Sequence, residues 1–204
     1  MTSLFPMFVK LAGRRCLVVG GGKVAEGKAE SLLTSGAAVV VVAPEVTDKI
    51  AAWAYEQRLV WHTRRFQPSD LDGSFLVIAA TGADALNESV FREAGVRGIL
   101  CNAVDEPERC HFYYPAVVRR GRLQIAISTS GLSPALASRL RQELEQQFGP
   151  EYERWLEELG AMRRETLARR TDAHGRNRLL RRLASRQGYE RFVRAERRRA
   201  GGSA

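Results

Sequence analysis

The chain has 204 residues, of which 45% are hydrophobic, and its formal net charge is +9. This length and composition are typical of a globular protein with one main domain and an appendage. The net positive charge comes from residues 163–204, which hold 14 arginines and four acidic residues. Residues 1–162 therefore carry −1, which excludes a strongly basic main domain of the kind that binds nucleic acid.

The cysteines and the longest apolar stretch indicate in which cellular compartment the protein is expected. Cys16, Cys101 and Cys110 are odd in number and widely spaced, so they do not form a disulfide framework. The longest apolar stretch, residues 37–44, is far shorter than the roughly 20 residues that span a bilayer. Pro6 and Lys10 interrupt the first apolar segment, which therefore does not resemble a signal peptide. We expect a soluble, cytoplasmic protein with no membrane partner.

Short apolar runs alternate with helix-like segments over residues 16–101. Most of the runs are β-branched and do not alternate with polar residues, as expected for parallel strands that are covered on both faces. Repeated βα units with right-handed crossovers predict an α/β fold, a Rossmann-type doubly wound parallel sheet. Strands are predicted at residues 16–19, 38–42, 59–62, 75–79 and 99–101, and helices at residues 24–35, 48–57 and 85–94.

A glycine-rich loop joins the first predicted strand to the first helix. Gly20, Gly22 and Ala25 fit the pattern G-x-G-x-x-A, in which glycines permit a tight turn and a close approach to a pyrophosphate. The helix start would then present its free N–H groups to the anion. In this strand–turn–helix context the pattern predicts a dinucleotide site more strongly than a mere tight turn.

The acidic residue that usually binds the ribose is displaced. The second strand ends in Ala43-Pro44, and Glu45 follows, either to reach a ribose or to start the next helix near its positive end. No arginine follows this strand directly to bind a 2′-phosphate. The sequence therefore favours NAD over NADP as the cofactor.

After residue 112 the pattern changes. Two strand-like runs on either side of Arg119-Arg120-Gly121, the second with alternating apolar residues, predict a hairpin. Ser133 with Pro134 marks a helix start as N-cap and first helical residue. A hairpin and one helix are too small for an independent core, so this part is expected to dock on the sheet or on a second copy. Helical segments are expected from residue 151 and over residues 177–195. The predicted parts are a nucleotide-binding domain (1–112), a dimerisation segment (113–149) and a basic helical region (150–204).

Three stretches together resemble the family of precorrin-2 dehydrogenases and sirohydrochlorin ferrochelatases, which also form the N-terminal part of siroheme synthases. They are LVVGGGKVAEGKAESLLTSGAAVVVVAPE, LVIAATGADALNESV and CNAVDEPERCHFYYPAVVRRGRLQIAISTSGLSPALASRLRQELE. The resemblance implies a homodimer that oxidises precorrin-2 to sirohydrochlorin with NAD in siroheme biosynthesis. Some members also insert ferrous iron, so iron is a possible second substrate.

The resemblance also implies site residues. The key aspartate of the family corresponds to Asp105, which follows a parallel strand at the edge where doubly wound sheets bind ligands and where a carboxylate can take the proton released in the oxidation. The alternative is a turn aspartate before Pro107. The cofactor-binding residues expected from the loop, the strand ends and the family pattern are Gly20, Gly22, Lys23, Val24, Ala43, Pro44, Glu45, Thr81 and Asn102.

The loop Ser128, Thr129, Ser130 and Gly131 is placed near the tetrapyrrole by the same resemblance. Its hydroxyls and N–H groups suit a carboxylate, and the alternative is a linker to a helix capped by Ser133. Cys110 and His111 are interpreted as packing residues, because neighbouring side chains of an extended segment point to opposite faces, and no metal site is expected.

The basic residues leave alternatives open. Arg119, Arg120 and Arg122 are either a solvated turn or cations for a polycarboxylate substrate. The arginine-rich tail has three candidate roles, which are steering the acidic tetrapyrrole, binding nucleic acid and keeping a surface helix soluble. Tyr189 and Phe192 share a core-like spacing with leucines, so we do not expect nucleic acid to bind there. The alternative to the enzyme as a whole is a non-enzymatic NAD-sensing regulatory module.

Overall fold

A computed structural model of the chain describes residues 4–168 and 172–201. It divides the chain between Tyr113 and Tyr114 into two units, which we call the sheet unit (Met1–Tyr113) and the hairpin–helix unit (Tyr114–Ala204). The three-part division drawn from the sequence stays a prediction.

Five parallel strands form the sheet of the first unit in the order β3-β2-β1-β4-β5. The chain starts at the centre with β1, moves outward through β2 and β3, and then returns to the other side of β1 for β4 and β5. This order confirms the predicted doubly wound fold, with its switch point between β1 and β4. The strands are β1 (Arg15–Val19), β2 (Ala38–Val42), β3 (Val60–His62), β4 (Leu76–Ala79) and β5 (Leu100–Ala103).

Three helices connect these strands, α1 (Lys23–Thr34), α2 (Asp48–Tyr55) and α3 (Asp84–Val96). The end of α1 shows how the sequence specifies the crossover. Gly36 adopts a left-handed φ of +75°, its N–H donates to the Leu33 carbonyl at 2.9 Å, and the Ala37 N–H donates to the Leu32 carbonyl at 3.1 Å. This pair of bonds satisfies the last carbonyls of the helix and needs a residue that tolerates positive φ.

Both faces of the sheet are buried. Cys16 and Val18 of β1 pack with α1 and α2, whereas Leu17 and Val19 pack on the opposite face with α3. This explains why the strands are apolar throughout instead of alternating.

The hairpin–helix unit begins with the antiparallel strands β6 (Ala116–Arg120) and β7 (Leu123–Ile127). Gly121, with φ +55°, opens the two-residue loop between them. The next helix, α4 (Pro134–Gln147), has Ser133 as its N-cap, and the Ser133 hydroxyl accepts a hydrogen bond from the Leu136 N–H at 3.2 Å. The predicted hairpin and helix start are therefore confirmed.

The remaining helices are α5 (Glu151–Ala168), α6 (Ala173–Leu183) and α7 (Arg186–Gly201). The prediction of one continuous helical segment over residues 177–195 is wrong, because the chain turns between α6 and α7. The Ser185 hydroxyl accepts a hydrogen bond from the Gly188 N–H at 3.2 Å, and a Cβ at Gly188 would lie 2.0 Å from the Leu183 carbonyl oxygen. The turn thus depends on a cap and a glycine that the apolar pattern does not reveal. No helix among the described residues is long and apolar enough to cross a bilayer.

Candidate functional site

The glycine loop after β1 passes closely between the segments that follow β2 and β4, the strands on either side of β1. Gly20 has φ +120°, and a Cβ there would lie 2.2 Å from the Ala80 carbonyl oxygen. A Cβ at Gly21 would lie 1.9 Å from the Glu45 carbonyl oxygen, whereas nothing lies within 4 Å of a Cβ at Gly22. The sequence pattern treats Gly21 as a variable position, but the fold requires glycine there too. Gly22 faces open space, as expected where backbone approaches a ligand.

The start of α1 has the geometry of an anion site. Gly22 is the N-cap residue, and its carbonyl accepts the first helical hydrogen bond from the Glu26 N–H at 2.9 Å. No side chain of the described residues caps this end of α1. The N–H groups of Lys23, Val24 and Ala25 therefore lie at the positive end of the helix dipole without a side-chain partner. This arrangement fits a pyrophosphate and hence a dinucleotide cofactor.

The end of β2 borders the same loop. The Thr47 N–H donates to the Gly21 carbonyl at 3.0 Å, and the Thr47 hydroxyl caps α2 by accepting from the Ile50 N–H at 3.4 Å. Glu45 lies two residues before this cap and is exposed, so it does not start the helix. Ala43 is buried, and Pro44 beside it is exposed. A carboxylate at this position can accept a hydrogen bond from a ribose hydroxyl.

A buried asparagine connects the ends of β4 and β5. Asn87 of α3 is 4% exposed, and its side-chain oxygen accepts hydrogen bonds from the Thr81 N–H at 3.3 Å and the Thr81 hydroxyl at 2.7 Å. Its side-chain nitrogen donates to the Thr81 carbonyl at 3.3 Å and to the Glu106 carboxylate at 3.0 Å. Sequence analysis missed Asn87, although its position on the apolar face of α3, with Val90, is a detectable signal.

Asp105 occupies a tight turn directly after β5. Its side chain is exposed, and its φ of +63° lies in the left-handed region, which asparagine and aspartate tolerate better than most residues. The Val104 N–H donates to the Ala79 carbonyl at 2.9 Å, which ties the start of the turn to β4. Burial of the Lys28 ammonium lowers its pKa, and the nearby charge of Asp105 opposes that shift. Lys28, which the sequence analysis did not select, therefore lies within electrostatic reach of Asp105.

Asn102 holds the segment that follows this turn. The residue is 7% exposed, and its side-chain nitrogen donates to the Phe112 carbonyl at 2.8 Å and contacts the Cys110 Sγ at 3.2 Å. The Cys101 N–H donates to Nδ1 of His111 at 3.0 Å. The half-buried Cys110 and the exposed His111 thus both contact β5. Among the described residues no group of three or more His, Cys, Asp or Glu side chains could hold a metal ion.

The loop Ser128–Gly131 lies in the hairpin–helix unit. The Thr129 hydroxyl accepts from the Ser133 N–H at 3.2 Å and donates to the Ser133 carbonyl at 3.1 Å, so it serves the start of α4. Ser128 and Ser130 are exposed, and Ser130 and Gly131 have φ of +53° and +80°. The loop therefore combines a local capping role with exposed hydroxyls.

Of the three hairpin arginines, Arg120 has a structural role that neither sequence interpretation included. Its guanidinium donates to the carbonyls of Phe148 at 2.7 Å and Glu145 at 2.9 Å. These carbonyls lie at the end of α4, where backbone acceptors lack helical partners. Arg119 and Arg122 are exposed.

The structure gathers most of the predicted site residues at one edge of the sheet, where strands β1, β2, β4 and β5 end. This edge is the ligand-binding edge of doubly wound sheets, and the gathering includes the switch point between β1 and β4. The residues brought together in the sheet unit are Gly20, Gly22, Lys23, Val24, Ala43, Pro44, Glu45, Thr81, Asn102 and Asp105.

Two family models match consecutive parts of the chain. The first, described as NAD(P)-binding, matches residues 7–116, more than half of the chain. The second, described as sirohaem biosynthesis protein central, matches residues 120–147.

Curated relatives with high identity are siroheme synthases. That of Photorhabdus laumondii is 46% identical over 140 residues, which are 69% of this chain and 30% of that protein. Siroheme synthase 1 of Cronobacter sakazakii is 44% identical over 158 residues, 78% of this chain and 34% of that protein. The chain thus spans about a third of the length of these relatives.

A solved structure resembles the chain over almost its whole length. SirC, precorrin-2 dehydrogenase, matches with a TM-score of 0.79 and 28% identity, and the match covers 94% of this chain and 98% of that one. The similarity therefore extends beyond the sheet unit into the helical C-terminal region.

Proposed function

Because the chain belongs to the NAD(P)-binding family of precorrin-2 dehydrogenases and siroheme synthases, we propose that it oxidises precorrin-2 to sirohydrochlorin with NAD. The observation that carries this proposal is the likeness to SirC, precorrin-2 dehydrogenase, because it covers 98% of that protein. The siroheme synthases support the same tetrapyrrole chemistry, although the chain spans only about a third of them.

The cofactor would be held by the glycine loop and the end of β2. When bound, the nicotinamide supplies the hydride acceptor of the reaction. The N–H groups at the start of α1 would hold the pyrophosphate, and the exposed Glu45 would accept hydrogen bonds from the ribose. The carboxylate of Glu45 would repel a 2′-phosphate, and this repulsion favours NAD over NADP.

Asp105 is the proposed base. Oxidation of precorrin-2 transfers one hydride and releases one proton, and an exposed carboxylate at the edge of the sheet can accept that proton. The Lys28 ammonium lies within electrostatic reach of this carboxylate. In this proposal Asp105 binds the leaving proton, while Thr81 and Asn102 line the cleft at the ends of β4 and β5.

The hairpin–helix unit would contribute the substrate loop and the dimer contact. The hydroxyls and N–H groups of Ser128, Ser130 and Gly131 are suited to the carboxylates of the tetrapyrrole, with Thr129 fixing the loop. One side of α4 carries Leu136, which is 40% exposed, and two half-buried leucines, Leu140 and Leu144. A second copy of the chain covers this apolar side in the proposed homodimer.

The experiment that tests the function follows NADH formation anaerobically with freshly made precorrin-2, using the wild type and Asp105→Asn. Asparagine keeps the size of the side chain and tolerates the left-handed φ, so the turn stays intact. We expect one NADH per sirohydrochlorin in the wild type. The variant should lose about 10²- to 10⁴-fold in kcat and keep its affinity for NAD.

Glu108→Gln is the matched control, because it removes a neighbouring exposed carboxylate outside the turn, and it should keep the wild-type rate. If the wild type binds NAD and leaves precorrin-2 unchanged, the proposed function is wrong and a non-enzymatic NAD-sensing module is favoured. Ferrous iron added after the oxidation tests the second activity. Formation of siroheme faster than in an enzyme-free mixture would establish a ferrochelatase.

A further inference from the structure

The buried amide of Asn87 connects the end of β4 to the turn that carries Asp105. We infer that Asn87 is a positioning residue, which holds this turn in the geometry that the Asp105 carboxylate needs for proton transfer. The inference rests on the proposed role of Asp105, and it adds a residue of α3 whose side chain reaches the turn only through Glu106.

The hydrogen bonds of Asn87 are complete. Its side-chain oxygen accepts two hydrogen bonds from Thr81, and its side-chain nitrogen donates one to the Thr81 carbonyl and one to the Glu106 carboxylate. An amide offers two donor hydrogens and two acceptor lone pairs, so every one is used. Only one orientation of the side chain satisfies this set. A residue that is 4% exposed and fully bonded is a rigid connector between the two strand ends.

Glu106 is held from two sides. One carboxylate oxygen accepts from Asn87 at 3.0 Å, and the other accepts from Arg109. Arg109 is itself paired with Asp84 at 2.6 Å and Glu88 at 3.5 Å, both on α3. The residue directly after Asp105 is therefore anchored to α3 through a neutral amide and through an arginine.

This anchoring matters because Asp105 has a conformation that is rarely populated. A left-handed φ is unfavourable for a residue other than glycine, and such a residue persists where the surroundings determine it. The turn itself contributes one weak bond, from the Glu106 N–H to the Ala103 carbonyl at 3.3 Å. The Asn87–Glu106 bond adds a restraint from α3 to those within the segment, where the Arg109 N–H donates to the Glu106 carbonyl at 3.0 Å and the Cys110 thiol contacts the Ala103 and Glu106 carbonyls at 3.1 and 3.3 Å.

The chemistry of the contact explains why this position needs asparagine. An aspartate of the same shape would place a second carboxylate against Glu106 and remove the donor. Two ionised carboxylates at this distance repel, and the pKa of one of them rises until the pair shares a proton. The other titratable or charged groups around Glu106 and its turn are Arg109, Asp84, Glu88, Cys101, Cys110, His111, Lys28, Asp105, Glu108 and Tyr113.

The test is the pH profile of Asn87→Asp. At about pH 8 both carboxylates of the variant are ionised, and kcat should fall about 10- to 100-fold through displacement of Asp105. At about pH 5.5 the shared proton restores a donor between the two groups, and the loss relative to wild type should shrink to about threefold. The affinity for NAD, titrated by protein fluorescence, should change less than about threefold, because the glycine loop is intact.

A double variant provides the rescue. Asn87→Asp combined with Glu106→Gln places an amide opposite the new carboxylate, so the hydrogen bond between residues 87 and 106 re-forms with the donor on the other partner, whereas the bond to the Thr81 carbonyl stays lost. We expect kcat within about threefold of wild type and no acid-dependent recovery. A purely structural role for Asn87 would not produce this pattern.

Amide hydrogen exchange of residues 104–106 gives a readout that is independent of activity. Exchange should be faster in Asn87→Asp than in wild type at about pH 8 and nearly equal at about pH 5.5. Asp70→Asn is the control, because Asp70 is a 5% exposed carboxylate of the same unit that pairs with Arg64. Its loss should lower stability without changing kcat, the pH profile or exchange at residues 104–106.

The outcomes separate the two proposals. A wild type that does not oxidise precorrin-2 overturns the proposed function, while the exchange experiment still tests whether Asn87 holds the turn. An active wild type with an Asn87→Asp variant that has the wild-type pH profile and exchange overturns the inference. A loss that is equal at every pH and is not rescued by Glu106→Gln also overturns it.

Discussion

The sheet unit and the hairpin–helix unit bury their apolar side chains to different degrees. In the sheet unit, side chains from both faces of five strands are sealed under helices. In the described part of the hairpin–helix unit, the buried hydrophobic residues are Val118, Ala137 and Phe192. A two-stranded sheet with long polar helices offers few positions that are covered on all sides. The first unit is thus stabilised by its own core, whereas the described part of the second buries few apolar side chains.

The ion pairs of the two units also differ in burial. In the sheet unit, both oxygens of the buried Asp70 carboxylate accept from Arg64, at 2.5 and 2.8 Å, and this pairing lowers the pKa of Asp70. Many ion pairs of the hairpin–helix unit join exposed residues within one helix, such as Arg139 with Glu143 and Arg186 with Glu190. Exposed pairs of this kind contribute less than about 1 kcal/mol each. The arginines of these exposed pairs therefore add charge rather than stability, unlike Arg120, which caps α4.

Gly21→Ala is the strongest test of the closed packing in the sheet unit. The added Cβ would lie 1.9 Å from the Glu45 carbonyl oxygen, and neither backbone segment can move without disturbing β1 or β2. We expect a loss of about 3 kcal/mol or more in the free energy of unfolding, measured by thermal and denaturant unfolding.

Gly22→Ala is the matched variant, because its Cβ meets nothing within 4 Å and its φ of −77° suits alanine. It should unfold at the wild-type temperature and yet bind NAD about tenfold more weakly, because the methyl group enters the space where the backbone approaches the pyrophosphate. Equal stability of Gly21→Ala and Gly22→Ala would show that the loop is not closely packed.

Local sequence signals predicted the elements of the sheet unit and, in the second unit, the hairpin and α4, but not the turn between α6 and α7. Gly36 and the pair Ser133-Pro134 determine helix ends through bonds to residues within one turn, so a linear pattern is sufficient. The β-branched runs likewise identify strands that are buried on both faces. The corresponding element ends in the sheet unit differ from the predicted ones by no more than two residues.

The features that sequence analysis missed depend on contacts between distant residues. Gly21 is required because Glu45 lies against it, and Asn87 acts on Glu106 at a separation of 19 residues. Arg120 caps a helix that ends 27 residues later. No local pattern encodes such partners, because the sheet and the hairpin must form before these residues meet. The positions that support the candidate site are therefore harder to predict than the loop that marks it.

Leu136→Lys tests whether the apolar side of the hairpin–helix unit is covered by a second copy. Because Leu136 is already 40% exposed in the single chain, the substitution should change the stability of the protomer by no more than about 0.5 kcal/mol. Burying the lysine in a dimer contact would be costly, so we expect the dissociation constant to rise about tenfold or more, measured by sedimentation. Leu179→Lys on α6 is the matched control, since Leu179 is 44% exposed, and it should leave the assembly unchanged. A wild type that sediments as a monomer contradicts the dimer.

Two glycine-to-alanine substitutions, one in each unit, have the smallest expected effects. They test whether the two units unfold independently. Gly27 lies within α1 and Gly160 within α5, and each occupies an interior helical position where alanine reduces the entropy of the unfolded chain. A Cβ at Gly27 meets nothing within 4 Å, and a Cβ at Gly160 meets Arg164 at an ordinary 3.7 Å. Each alanine should therefore add about 0.5–1 kcal/mol. Because the units differ so much in buried apolar surface, we expect two unfolding transitions by calorimetry. Gly27→Ala should raise the midpoint temperature of the sheet unit, and Gly160→Ala should raise that of the hairpin–helix unit. If both variants instead raise one shared transition by the same amount, the hairpin–helix unit draws its stability from the sheet unit, and the contrast in burial does not describe how the chain unfolds.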